Sequence, residues 1–155
     1  MHSKLEPGLG ELLRYVAEQV EYGAEQHYQH MGLQYRARYT PVLRAMQAGC
    51  QSISQITACT HLTQGAISQT VTHMENEGVI VRERGPDARQ TLVRLTAHGQ
   101  QLVAQLEAHW SATFATIEHL EAEIGYPLRQ VLQRTAQALQ EQGFAQRLAQ
   151  TKQSR

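Results

Sequence analysis

One stretch leaves this chain few folds to choose from: Ser52–Thr96, SISQITACTHLTQGAISQTVTHMENEGVIVRERGPDARQTLVRLT. At its centre, Thr63–Gly78 reads as a short amphipathic helix. Thr63 is a good N-cap, because its hydroxyl oxygen can accept a bond from one of the helix's unpaired N–H groups. Leu62 and Ile67 occupy the two positions of a hydrophobic staple around that cap. Ile67, Val71 and Met74 recur at helical spacing and form a narrow apolar stripe. Gly78 is placed to adopt the left-handed conformation that ends a helix. The opposite face carries Gln64, Ser68, Gln69, Thr72 and His73, all hydrogen-bonding groups, with no Lys or Arg among them. One side of this helix is fit for burial and the other for recognition.

The flanks define the motif. Ser52 and Gln55 match a capping box, so a short helix through about Cys59 is expected, with Ile53 and Ile56 inward. Thr60–Leu62 is then a tight turn between two helices. Beyond Gly78, VIVRER and TLVRLT are two β-rich runs around the turn-forming segment Gly85–Gln90, which predicts a hairpin. Helix, turn, helix and hairpin in that order make a winged helix-turn-helix. Such a unit places its second helix in the DNA major groove and its wing tip in the flanking minor groove. In that reading Gln64, Ser68, Gln69, Thr72 and His73 would meet base edges, with the glutamine amides suited to adenine. Thr63 and Gly65 would meet phosphate at the helix N-terminus, and Ser54 on the preceding helix is a further candidate for DNA contact. Arg89 would enter the minor groove with Asp87 orienting its guanidinium, although Asp87 reads equally well as a turn-former.

The rest of the chain is helical. Pro7 suits the first turn of a helix ending near Gly32, with Leu9, Leu12, Leu13, Val16, Val20, Ala24 and His27 along one face. Its span of about 36 Å exceeds what a winged domain needs. Thr40-Pro41 reads as an N-cap with proline after it, opening a helix through Ala48 that Gly49 ends. Thr96 caps another helix, whose apolar positions Leu102, Val103, Leu106, Trp110, Phe114, Ile117, Leu120 and Ile124 run on until Gly125-Tyr126-Pro127. Leu128, Val131, Leu132, Thr135 and Leu139 start a last helix, and the tail QTKQSR is expected to fray. These long helices have more apolar face than one winged domain can cover, so a two-fold dimer is expected. The fold class is therefore mainly α with a small β-hairpin wing. Residues 33–99 would form the winged DNA-binding domain, and 1–32 with 100–155 a helical dimerisation region.

Charge and composition test that reading. The 155 residues amount to about one domain, and 41% hydrophobic with 18% charged residues is a globular composition. Fourteen basic and fourteen acidic residues cancel, whereas DNA-binding domains are usually basic. The placement is less even. Arg82, Arg84, Arg89 and Arg94 face only Glu83 and Asp87 along the hairpin, and Arg36, Arg38 and Arg44 have no acid among them. A local basic footprint with modest non-specific binding follows. The N-terminus lacks the apolar run of a signal peptide, and no stretch is long and apolar enough for a membrane span. A cytoplasmic location without a membrane partner is expected. No phosphate loop, dinucleotide fingerprint or nucleophile elbow occurs, so the expectation is a non-enzyme with no catalytic residues and no cofactor.

Thr63–Gly78, Arg82, the wing's Asp87-x-Arg89 and Leu95-Thr96-x-x-Gly99, in that order and spacing, resemble the MarR family of bacterial transcription regulators. The wing is slightly shorter than the usual family pattern, and Gln69 stands where an Arg is frequent. The resemblance implies a homodimer with intertwined terminal helices bound to a palindromic operator in double-stranded DNA. It implies a repressor released by a small effector. Relatives often bind aromatic effectors between the dimer arm and the winged domain. Tyr22, His27, Tyr28, Tyr35, Arg38 and Tyr39 gather where such a ligand would lie, though tyrosines packing a helix junction are an equal reading. His27 and His30 could share a helix face as metal ligands, but solvated or core histidines are the commoner case, and no metal site is expected. Zinc-sensing relatives carry a paired His motif on the fifth helix, where this chain has His109 and Thr113. Hydroperoxide-sensing relatives place a reactive Cys in the first helix, where this chain has none. Cys50 and Cys59 are read as free thiols in a reducing compartment, and the regulator is expected to tolerate oxidants. The alternatives are a winged-helix protein-interaction module, or a thiol- or metal-responsive regulator of the same fold.

Overall fold

The computed structural model describes residues 5–155. The helices are α1 (Leu9–His30), α2 (Thr40–Gln47), α3 (Ile53–Cys59), α4 (Gln64–Asn76), α5 (Ala97–Ile124), α6 (Leu128–Glu141) and α7 (Phe144–Gln153). A 3-10 turn, Ala37–Tyr39, precedes α2, and strands β1 (Ile80–Arg84) and β2 (Thr91–Leu95) form an antiparallel hairpin. The chain divides into two compact units, one ending at Ala104 and the other running from Gln105 to Arg155.

The first unit is the winged helix-turn-helix. Its core comprises Tyr28, Tyr35, Tyr39, Val42, Leu43, Ile53, Ile56, Ile67, Val71, Met74, Val79, Ile80, Val93, Leu102 and Val103. Thus α1's end, α2, α3, α4, the hairpin and the start of α5 all send apolar side chains inward. Helix α4 packs on α3, on β1 and on the 3-10 turn, while α3 also meets α2 and β2. The anticipated caps are in place. Ser52 Oγ accepts the Gln55 N–H at 3.1 Å, and Thr63 Oγ1 accepts the Ala66 N–H at 3.1 Å. Gly78, at φ 73°, ends α4 in the left-handed region, which glycine adopts without the strain a side chain brings. Ile67 is fully buried, but Leu62 remains 37% exposed at the staple position.

The hairpin pairs Ile80 with Leu95 through to Arg84 with Thr91. It also carries a short third member. Ser52 bridges Leu92, and the Val93 N–H donates to the Gln51 carbonyl at 2.9 Å. The segment before α3 is thereby stitched to the base of the wing. At the other end, Thr96 binds the α4–β1 turn. Its N–H donates to the Val79 carbonyl at 3.1 Å, its hydroxyl meets the Gly78 and Val79 carbonyls, and its Oγ1 accepts the Gly99 N–H at 3.0 Å. Gly99 is required here, since a Cβ would lie 2.1 Å from the Val79 oxygen.

Several local expectations are corrected. Pro7 precedes the N-cap Gly8 and lies outside α1, so its fixed φ sets the approach to the helix and not its first turn. Thr40 is the first residue of α2 and not its cap, because the 3-10 turn already closes onto Tyr39; the Thr40 hydroxyl bonds the Tyr35 hydroxyl at 2.6 Å instead. Gln55 reaches back to the N–H of Gln51 at 2.7 Å, one residue before the box position. The tail does not begin at Gln150: α6 stops near Gln142, Gly143 caps α7, and α7 continues through Gln153. Arg147 holds that corner by donating to the Gln142 and Ala138 carbonyls at 2.9 and 2.8 Å.

The second unit holds the later part of α5 with α6 and α7. Leu106 and Trp110 are buried, whereas Leu120, Ile124, Val131, Leu132, Leu139, Phe144 and Leu148 are exposed. Arg129 ties α6 to α5 through Glu121 at 3.3 Å and lies over the Phe114 ring at 5.3 Å. In the first unit, α1 likewise exposes Leu9, Leu12, Leu13, Val16 and Val20. No helix among the described residues is long and apolar enough to cross a membrane.

Candidate nucleic-acid interface

The outward face of α4 is the feature to which the surrounding interactions are subordinate. Ile67, Val71 and Met74 anchor its inner side with no solvent exposure, so the outer side chains project from a fixed axis. Gln64, Gly65, Gln69, Thr72 and His73 are exposed, Ser68 is half-buried, and Ser54 is exposed on α3. The Thr63 N-cap completes the α4 N-terminus, where free N–H groups and the helix dipole favour an anion such as phosphate.

Thr72 is more occupied than its place on this face suggests. Its hydroxyl donates to the Ser68 carbonyl at 3.0 Å and accepts from Arg82 Nη2. Arg82, on β1, also pairs with Glu75 at 3.5 Å, while its backbone N–H donates to the same carboxylate at 3.0 Å. Glu75 and Thr72 lie three residues apart on α4 and so present one face to the strand. This clasp fixes the wing to the recognition helix. The sequence alone gives Glu75 no role and Arg82 none beyond family resemblance; the available signal is that i, i+3 pair followed by an arginine on the next strand.

The wing's charges divide into paired and unpaired. Arg94 is held by Glu83 through Nη2 at 2.7 Å and Nε at 3.1 Å, a two-pronged pair across the strands. Among the described residues, the Arg84 and Arg89 side chains enter no ion pair, and both are exposed. Asp87 serves the backbone: its carboxylate accepts the Arg89 N–H at 3.1 Å, and its carbonyl accepts the Gln90 N–H at 2.9 Å. Here Asp87 shapes the tip and does not hold the Arg89 guanidinium. Arg84 is a candidate that the sequence did not single out; its exposure beside the tip places it with Arg89.

The six residues grouped as an effector site separate. Tyr28, Tyr35 and Tyr39 are core side chains, stacked edge-on with ring centroids 4.6 and 5.8 Å apart. Burial raises the Tyr28 pKa, and burial with the Glu77 carboxylate raises that of Tyr39, so both stay neutral phenols. Tyr22, His27 and Arg38 are exposed, with Tyr22 bonded to Gln26 at 3.2 Å and Arg38 lying 5.9 Å from the centre of the Tyr39 ring. Tyr28 and Tyr39 thus pack the helix junction and cannot wall an open crevice without repacking. Tyr35 does border a cavity of about 250 Å³, together with Glu25, Leu33, Arg36 and Glu77. His30 is exposed on α1, and no cluster of three or more His, Cys, Asp or Glu with metal-site geometry occurs among the described residues.

Comparison with known proteins agrees with this architecture. Residues 32–91 match the model of the MarR family. The fold is shared with the M. tuberculosis transcriptional regulator MosR, solved in complex with DNA, at a TM-score of 0.72 and 18% identity, over 87% of this chain and 98% of that one. The S. aureus MepR–DNA complex superposes at 0.66 with 19% identity, covering 86% and 99% of the two chains. The PcaV transcriptional regulator of Streptomyces coelicolor, in complex with its natural ligand, gives 0.67 and 19%, covering 88% and 99%. At such identities the likeness is one of fold. No curated protein matches the chain in sequence.

Proposed function

We propose that the chain, whose residues 32–91 match the MarR family model, is a homodimeric, sequence-specific DNA-binding transcription regulator, a repressor released by a small effector. The observation that carries the proposal is the α4 face. It offers an exposed row of amide, hydroxyl and imidazole groups on a rigidly seated helix, with an arginine-bearing wing clasped to it. Gln64, Ser68, Gln69 and His73 would read base edges, with a bidentate amide on adenine the favoured pairing. Thr63, Gly65 and Ser54 would meet backbone phosphate, while Arg84 and Arg89 reach the minor groove. Thr72 acts through the clasp as well as by touching DNA. Fold relatives solved on DNA support this use of the surface.

A palindromic operator calls for two such heads, about 34 Å apart. The exposed apolar faces of α1, α6 and α7 support pairing of the terminal helices, residues 1–32 and 100–155, between two copies. For the effector, the supporting feature is the cavity beside Tyr35 and Arg36, small enough for a compact aromatic or amine-bearing molecule. We place the protein in the cytoplasm as a non-enzyme, in keeping with a family of transcriptional regulators.

The test is selection of duplexes from a random library, followed by binding of the enriched sequence against a scrambled one. An enriched palindrome bound by a dimer is the expected result. Failure to enrich any duplex would favour a protein-docking role, to which the lack of Lys and Arg on the α4 face lends its weight.

A further inference from the structure

Cys50 and Cys59 read from the sequence as free thiols, and the structure brings them together. Cys50 lies between Gly49, which ends α2 at φ 104°, and the Gln51–Ser52 segment that pairs with the wing. Cys59 is the last residue of α3, immediately before the turn into α4. The seven-residue helix that ends at Cys59 brings the ends of this segment together, and the two sulfurs lie 3.0 Å apart. Neither is in a disulfide; Cys59 is exposed and Cys50 is partly so. A disulfide closes at about 2.05 Å, so roughly 1 Å of movement separates the thiol pair from a bond.

We propose that Cys50 and Cys59 form a reactive dithiol at which a hydroperoxide closes an intrasubunit disulfide across α3, weakening operator binding. The Cys59 thiolate attacks the peroxide O–O bond, taking one oxygen as sulfenic acid and releasing an alcohol, or water from hydrogen peroxide. The Cys50 sulfur then forms the S–S bond to Cys59, and the hydroxyl leaves with the Cys50 proton as water. Two thiols lose two electrons, and the peroxide gains them. The roles follow exposure, and the hydrogen bond with Cys59 pushes the Cys50 thiol up. Cys59 is the more accessible of the two.

The consequence follows from what each sulfur is attached to. Cys50 is joined to the residues that stitch the wing, and its N–H is fixed to the Ala45 carbonyl at 3.0 Å. Movement therefore falls on the Cys59 end, which leads through Thr60–Leu62 to the Thr63 cap of α4. Base-edge hydrogen bonds fail when displaced by about 1 Å, and breaking one bidentate pairing lowers specific affinity about fivefold or more. The bridge rests on sulfur geometry alone; its effect on DNA rests on the function proposed above.

The experiment uses the full-length reduced protein and stoichiometric hydrogen peroxide. Intact mass should fall by about 2 Da, with peptide mapping joining Cys50 to Cys59 within one chain. Cys50→Ser should stop at a sulfenic acid on Cys59 that dimedone captures, whereas Cys59→Ser should react more slowly. Unreacted thiols under excess peroxide, a bridge between subunits, or sulfinic acid without a bridge would overturn the assignment. On the duplex selected by the reduced protein, oxidation should lower affinity about fivefold or more, dithiothreitol should restore it, and the double Ser variant should not respond. A confirmed bridge with unchanged affinity refutes the coupling. A reduced protein that selects no duplex refutes the DNA-binding reading, while the mass measurement still decides the bridge.

Discussion

Gly99→Ala is the change whose effect is best defined by the structure. A Cβ at that position would sit 2.1 Å from the Val79 carbonyl oxygen and 3.1 Å from the Leu95 Cδ2. Carbon and oxygen approach to roughly 3.3 Å at their closest, so the start of α5 must retreat by about 1 Å. The retreat stretches the Thr96 bonds to the Gly78 and Val79 carbonyls, which hold α5 against the α4–β1 turn. Losing two of them removes about 2 kcal/mol, and the forced repacking adds about 1–3 kcal/mol. Alanine's better helix propensity returns up to about 1 kcal/mol. The expected net destabilisation is about 2–4 kcal/mol, a large part of a typical domain's stability of roughly 5–15 kcal/mol. Urea unfolding followed by circular dichroism, at matched protein concentration, measures it. Gly65→Ala is the control, because no atom lies within 4 Å of its added Cβ. A Gly99→Ala variant as stable as the parent would show that the close approach is not what selects glycine.

Further tests address function. Gln69→Ala should lose about 1–3 kcal/mol on operator and little on scrambled DNA, whereas Arg89→Ala should weaken both and reduce the salt slope by about one unit for each phosphate that goes unneutralised in each subunit. Fluorescence anisotropy at two salt concentrations separates these patterns, and equal salt-independent losses would point to misfolding. Arg82→Ala removes the clasp to Thr72 and Glu75, whose ion-pair side chains are 31% and 40% exposed; affinity should fall several-fold while stability changes by less than about 1 kcal/mol. The reverse ordering would refute a positioning role. Leu12→Asp with Val16→Asp, on the exposed face of α1, should give monomers in light scattering, and a persistent dimer would place the interface elsewhere. The raised pKa values of Tyr28 and Tyr39 mean the unfolded chain loses those protons first. Their contribution is full below the unfolded value of 10.0 and declines as pH rises past it, which thermal melts across alkaline pH can follow.

Features governed by near neighbours were the ones legible in the sequence. The Ser52 and Thr63 caps, the Ile67–Val71–Met74 stripe, the Gly78 stop and both strands each depend on residues only a few positions apart. The Thr40 cap failed because a 3-10 turn had already closed before it, and such a turn has no strong signature in three residues. Helix α7 was missed because Gln-Gly-Phe was too weak a break to divide an already polar tail. The interface follows the same division. The outward α4 residues are set by helical periodicity, whereas the Arg82 clasp, the Gln51–Val93 stitch and the meeting of Cys50 with Cys59 depend on packing between elements. Periodicity placed the three tyrosines on the right segment but could not say that the core would claim them.

The bare apolar face of α1 has a consequence for inheritance as well as for folding. If a second copy covers Leu9, Leu12, Leu13, Val16 and Val20, partner choice is made by helices remote in sequence from the surface that reads DNA. A copy with a damaged α4 and intact terminal helices would still be accepted as a partner. Because a palindrome needs both heads, each such pairing withdraws a sound subunit from service. Lesions in α4 or the wing should therefore be genetically dominant, and lesions that prevent pairing recessive.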